Sequence, residues 1–100
     1  LILLIHLIKK HAEQRTTRSW DFSIAHAVLQ IKRTNRRRKA GGFYASPEEL
    51  KEILGEAFDL ALKKAALEVF EGGLDEAELA GKTDKAAIIK EAMGALIDQD

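Results

Sequence analysis

Apolar residues crowd the start of the chain and then fall into stripes. Residues 1–8 read LILLIHLI, apolar at every position but His6, and KKHAEQR follows. A short apolar run is ambiguous between strand and helix by period alone. The leucines and the helix-favouring residues behind them predict a helix over Leu1–Arg15. Thr16 and Thr17 weaken it, and Ser19 or Asp21 is suited to cap the next helix. There Ile24, Val28 and Ile31 share one stripe with Ala27 beside them, while Ser23, His26, Gln30, Arg33 and Arg37 fall on the opposite one.

Gly41-Gly42 interrupts this period and SPEE restarts it, with Ser46 as cap, Pro47 in the first turn and Glu49 closing a capping box. Leu50, Ile53, Leu54, Ala57, Phe58, Ala61, Leu62 and Ala65 keep helical spacing, and the pattern runs on to Val69 and Phe70. That predicts a helix of about 24 residues, ~36 Å long, stopped by Gly72-Gly73. LDEAELAG predicts a short helix ending at Gly81, and Thr83 is placed to cap a last one, whose Ile88, Ile89, Ala92, Met93, Leu96 and Ile97 form a wide apolar stripe. The fold class expected is all-α, four or five helices in a small bundle-like single domain over residues 1–100.

A chain of 100 residues supports one modest core. A contiguous apolar patch as large as LILLIHLI is not left in water, so the run is expected to be buried, with a second copy covering it and completing the bundle as a homodimer. It falls well short of the roughly 20 residues that span a bilayer, so no membrane partner is expected. The chain has no cysteine, which removes disulfides and thiolate metal sites and suits the cytoplasm.

Charge adds what composition hides. The 16 basic and 16 acidic residues cancel overall, yet residues 1–40 hold ten Lys and Arg against Glu13 and Asp21, a net +8. Residues 41–100 hold six Lys against fourteen Asp and Glu, a net −8. Such a split speaks to partners: the basic half faces a polyanion, or the two halves attract each other within a chain or across a dimer. The basic charge is concentrated in KRTNRRRK, where Lys32, Arg33, Arg36, Arg37, Arg38 and Lys39 supply six cations in eight positions. Cations at this density clamp phosphates, and arginine also forks onto base edges. His26 and Gln30 extend the same face, and Phe43-Tyr44 offer stacking surfaces just beyond it. The function expected is a small nucleic-acid-binding or regulatory protein with DNA or RNA as partner. The alternative is a helical protein–protein interaction module that binds no nucleic acid.

Other chemistry finds little support. GKT at 81–83 resembles the end of a phosphate-binding loop, but the glycine that loop needs is Glu76 here and no strand leads into it. His6 and His11 are five apart, not the helix-borne pair of a zinc protease. No serine has the strand-turn-helix context of a nucleophile, and the carboxylates are spaced like helix surface charges, Glu48, Glu52 and Glu56 on one face. Trp20 with Phe22, and Phe58 with Phe70, are expected in the core. No catalytic residue, metal or cofactor is expected.

The segment ELAGKTDKAAIIKEAMGALIDQD, Glu78 to Asp100, resembles the second half of ribbon-helix-helix proteins, particularly the antitoxins of toxin–antitoxin pairs. Gly81 ends a helix, Thr83 stands at the cap of the next, and Ile88, Ile89, Ala92, Leu96 and Ile97 carry its apolar pattern. The resemblance implies a dimer formed through a short strand ahead of the first helix, a ribbon that reads the DNA major groove. Here that position falls on AALEVF, residues 65–70, with Lys63 and Lys64 beside it.

Overall fold

A computed structural model of the chain describes residues 2–40 and 46–97, with side chains described over 2–35 and 46–97. It is all-α: α1 (Ile2–Glu13), α2 (Arg18–Ala40), α3 (Pro47–Ala66), α4 (Glu76–Gly81) and α5 (Lys85–Leu96), with a tight turn over Val69–Gly72.

The N-terminal helix is the centre of the bundle. α1 packs on α2, α3, α5 and the Val69–Gly72 turn. A helix enclosed on several sides has no polar face to offer, which is why LILLIHLI is apolar nearly all round. Leu3, Leu4, Ile5, Leu7 and Ile8 are all buried and join one cluster with Phe58 and Leu62 of α3, Leu79 of α4, and Ile88 and Ala92 of α5. At ~1.5–3 kcal/mol per buried aliphatic side chain, those five residues supply on the order of 10 kcal/mol before conformational entropy is charged against them. The run is thus buried as its composition predicts, but inside a single chain. Its burial requires no second copy.

Local chemistry sets the helix ends. Gln14, with φ 53, turns the chain out of α1 in the left-handed region. α2 is capped by Thr17, whose hydroxyl accepts from the Trp20 amide at 3.0 Å, and not by Ser19 or Asp21. Asp21 instead accepts a 2.6 Å hydrogen bond from the Thr16 hydroxyl. Ser46 caps α3 as expected, accepting from the Glu49 amide, with Pro47 in the first turn. The Glu49 carboxylate accepts from the Ser46 hydroxyl and not from its backbone amide, so the expected capping box does not close. Asp75 and Glu78 form a reciprocal capping box on α4. The last helix is capped by Asp84, which accepts from the Ala87 amide, while the Thr83 hydroxyl donates back to the Leu79 carbonyl.

The long helix predicted through Phe70 stops at Ala66. Val69 is fully buried, but Phe70, Glu71 and Gly72 then take φ values of 49, 58 and 79. Two non-glycine residues in succession in that region are costly. The turn is held from the other side by Glu13, whose carboxylate accepts from the Phe70 amide at 3.5 Å. Phe70 is consequently exposed rather than in the core, and so is Phe22, 71% accessible on α2. Trp20 is half-buried and Phe58 is buried, as expected of core aromatics.

Candidate nucleic-acid interface on α2

α2 has two faces of different character. Ile24, Ala27, Val28 and Ile31 lie half-buried against the core, and Ile31 is the last hydrophobic residue of the described part of α2 that packs there. Opposite them, Phe22 and His26 stack with ring centroids 6.0 Å apart and planes 9° from parallel. Nε2 of Gln30 lies 3.3 Å from Nε2 of His26, continuing the line one turn on. Arg33 is exposed one turn further, and Leu29 is exposed on the same face. Between this face and the start of α1 runs a shallow groove of about 440 Å³, bordered by Ile2, Phe22, His26 and Gln30.

The basic run is helical. α2 continues without interruption to Ala40, so KRTNRRRK occupies its last two turns rather than a linker loop. Cations there also complement the partial negative charge of the helix C-terminus. Lys32 is half-buried and Arg33 exposed; the side chains of Arg36, Arg37, Arg38 and Lys39 lie outside the described residues, as do Phe43 and Tyr44. From Arg18 to Ala40 the helix carries seven basic residues against Asp21, a net +6.

The described carboxylates of α3 lie apart from the ion pairs of the fold. α2 packs on α1 and α5. Glu48, Glu52, Glu56 and Asp59 along α3 are exposed and form no ion pair among the described residues. α1 pairs across the charge split: Lys9 meets Glu68 at 3.7 Å, and Lys10 and His11 both approach Glu91, at 4.0 and 3.5 Å.

Sequence reasoning placed Phe22 in the core and missed the Phe22–His26 stack. Helical phase would have found it, since Phe22 stands four residues before His26 on the stripe opposite Ile24 and Val28. Of the residues matched to ribbon-helix-helix proteins, Gly81 ends α4 and Ile88, Ile89, Ala92 and Leu96 face the core. Ala65 and Ala66 continue α3 and Val69 and Phe70 belong to the tight turn, so AALEVF forms no strand. Among the described residues no three His, Cys, Asp or Glu side chains gather in a metal-binding group, and no helix is long and apolar enough to cross a membrane. Comparison with known protein families, with curated proteins and with solved structures finds no match for this chain.

Proposed function

We propose that the protein binds nucleic acid through the C-terminal turns of α2, acting in a reducing compartment such as the cytoplasm. What carries this reading is the continuation of a +6 helix to Ala40, beyond Ile31, the last hydrophobic residue of its described part that packs on the core. Lys32, Arg33, Arg36, Arg37, Arg38 and Lys39 supply the electrostatic contact to phosphates, a term that carries no sequence information. The Phe22–His26 stack and Gln30 lie along the same helix, where an unpaired base finds an aromatic surface and a hydrogen-bonding group. The combination favours single-stranded or locally opened nucleic acid, because stacking on Phe22 needs an exposed base face.

The test is a binding titration over a range of salt with random-sequence duplex DNA, single-stranded DNA and RNA. Binding that weakens with salt, is tightest for single strands, and is lost on replacing Arg36, Arg37 and Arg38 with Ala supports the reading. No binding at 50 mM salt defeats it.

A further inference from the structure

The outer face of α3 carries an apolar line that the fold does not use. Ile53, Leu60 and Leu67 are 50%, 60% and 72% accessible, and they recur at intervals of seven residues. Seven residues are close to two helical turns, and Leu67, the C-cap just past Ala66, keeps helical dihedrals, so the three lie on one edge, ~21 Å from first to last. The buried residues of the same helix, Leu54, Phe58, Ala61, Leu62 and Ala65, lie on a different face, which packs on α1 and α5. α3 is thus apolar on two sides, one filled and one empty.

We propose that a second copy of this chain covers the empty side, with the two α3 helices packed antiparallel about Leu60. A helix edge that is apolar once in every seven residues, with charges on its flanks, is half of a coiled-coil seam, narrow enough to be closed by one copy of the same edge. Two-fold symmetry makes the seam self-complementary: Leu60 meets Leu60 of the second copy, and Ile53 meets Leu67 at either end.

Charge selects the direction. Glu56 and Lys63 flank the seam on one side, and Lys64 and the half-buried Ala57 on the other; the three charged residues are exposed. In an antiparallel pair, equivalent flanks meet with their order reversed. Glu56 of each copy comes level with Lys63 of the other, giving two opposite-charge contacts. In a parallel pair, opposite flanks meet at the same level, and Lys63 faces Lys64 twice. Flanking charges of this kind decide orientation in helix pairs. On the other antiparallel flank Lys64 meets Ala57, whose small side chain leaves room for the lysine stem to lie along the seam.

This interface is distinct from the N-terminal run, which one chain already buries, and from the basic end of α2, so its test involves no nucleic acid. Sedimentation equilibrium should show a concentration-dependent dimer. Leu60→Glu should raise the dissociation constant by at least about a hundredfold while leaving the circular dichroism spectrum and urea midpoint of the monomer nearly unchanged, because Leu60 is 60% accessible and lies outside the core cluster. The chain has no cysteine, so single cysteines report geometry directly. Leu60→Cys should form a disulfide-linked dimer under mild oxidation. Ile53→Cys should cross-link with Leu67→Cys when the two variants are mixed, and not with itself. A monomer at several hundred micromolar, a dimer that survives Leu60→Glu, or self-linking of Ile53→Cys without the mixed product would each overturn the proposal.

Discussion

Lys9 of α1 is buried with its ammonium 3.7 Å from the Glu68 carboxylate beyond the end of α3, and 4.9 Å from the ring centroid of Trp20. Arg15 lies over the same indole at 4.8 Å, so one tryptophan receives two cations at the joint between α1 and α2. The two partners of the ion pair are not equivalent: the Lys9 side chain is 10% accessible and that of Glu68 44%.

That asymmetry predicts unequal losses. Glu68→Ala leaves an ammonium buried with an aromatic face as its remaining neighbour and should cost about 1–2 kcal/mol. Lys9→Met keeps the stem, removes the charge and returns Glu68 to solvent, so it should cost less, within about 1 kcal/mol. Urea unfolding followed by the fluorescence of Trp20, the single tryptophan, measures both. A larger loss for Lys9→Met would mean that the pair itself, and not the buried charge, holds this joint.

The aromatic residues separate core from surface. Phe58 is buried beneath the Lys85 ammonium, which stands 5.4 Å from its ring centroid. Phe58→Ala should cost ~3–5 kcal/mol in chemical denaturation. Phe22→Ala should change stability by no more than about 0.5 kcal/mol and weaken single-stranded nucleic-acid binding by about 1–3 kcal/mol, the worth of one stacked base. If Phe22→Ala instead unfolds the protein and spares binding, the outer face of α2 has been misassigned.

Two glycines should respond in opposite directions to alanine. A Cβ on Gly55, in the interior of α3, meets nothing within 4 Å, so Gly55→Ala should stabilise by about 0.5–1 kcal/mol through the lost freedom of the unfolded chain. Gly72 has φ 79, and a Cβ there would come 3.3 Å from the Leu67 carbonyl oxygen. Gly72→Ala should destabilise by about 1 kcal/mol or more. Thermal melts of the two variants in parallel decide the point.

The basic run makes a quantitative demand. If four of its six cations engage duplex phosphates, log affinity should fall against log salt with a slope of about −3.6, a loss of roughly a hundredfold between 50 and 200 mM. Replacing Arg36, Arg37 and Arg38 with Ala should flatten the slope by up to about 3 units with little change in helix content. A slope unaffected by the triple substitution would place the phosphate contacts elsewhere.

Much of the helical plan was legible because capping and period agree in most segments. Ser46 before Pro47 marked the start of α3, and the stripe of α5 was written in Ile88, Ile89, Ala92 and Leu96. Caps slipped by one or two residues where two candidates stand side by side: Thr17 serves instead of Ser19, and Asp84 instead of Thr83. Period failed at the end of α3 because Val69 keeps helical phase while the backbone after it turns left-handed, a choice made by the packing of Val69 and by Glu13, 57 residues away. Hydrophobicity told that LILLIHLI would be buried, but not by what, since composition is blind to which surface arrives. At the candidate site the cations were plain in the sequence. Their place on a continued helix was not, because Gly41-Gly42 left the end of α2 open.

The position of α1 has a consequence for how the protein is made. The most apolar helix precedes every partner that shelters it, and its contacts with α5 wait for Ile88 and Ala92. At synthesis rates of ~5–20 residues per second, Leu3 to Ile8 stay uncovered for several seconds. Over that interval the nascent chain presents a greasy helix with two lysines behind it, the kind of segment a holding chaperone would bind. Slowing translation should therefore aggravate aggregation of this protein rather than relieve it.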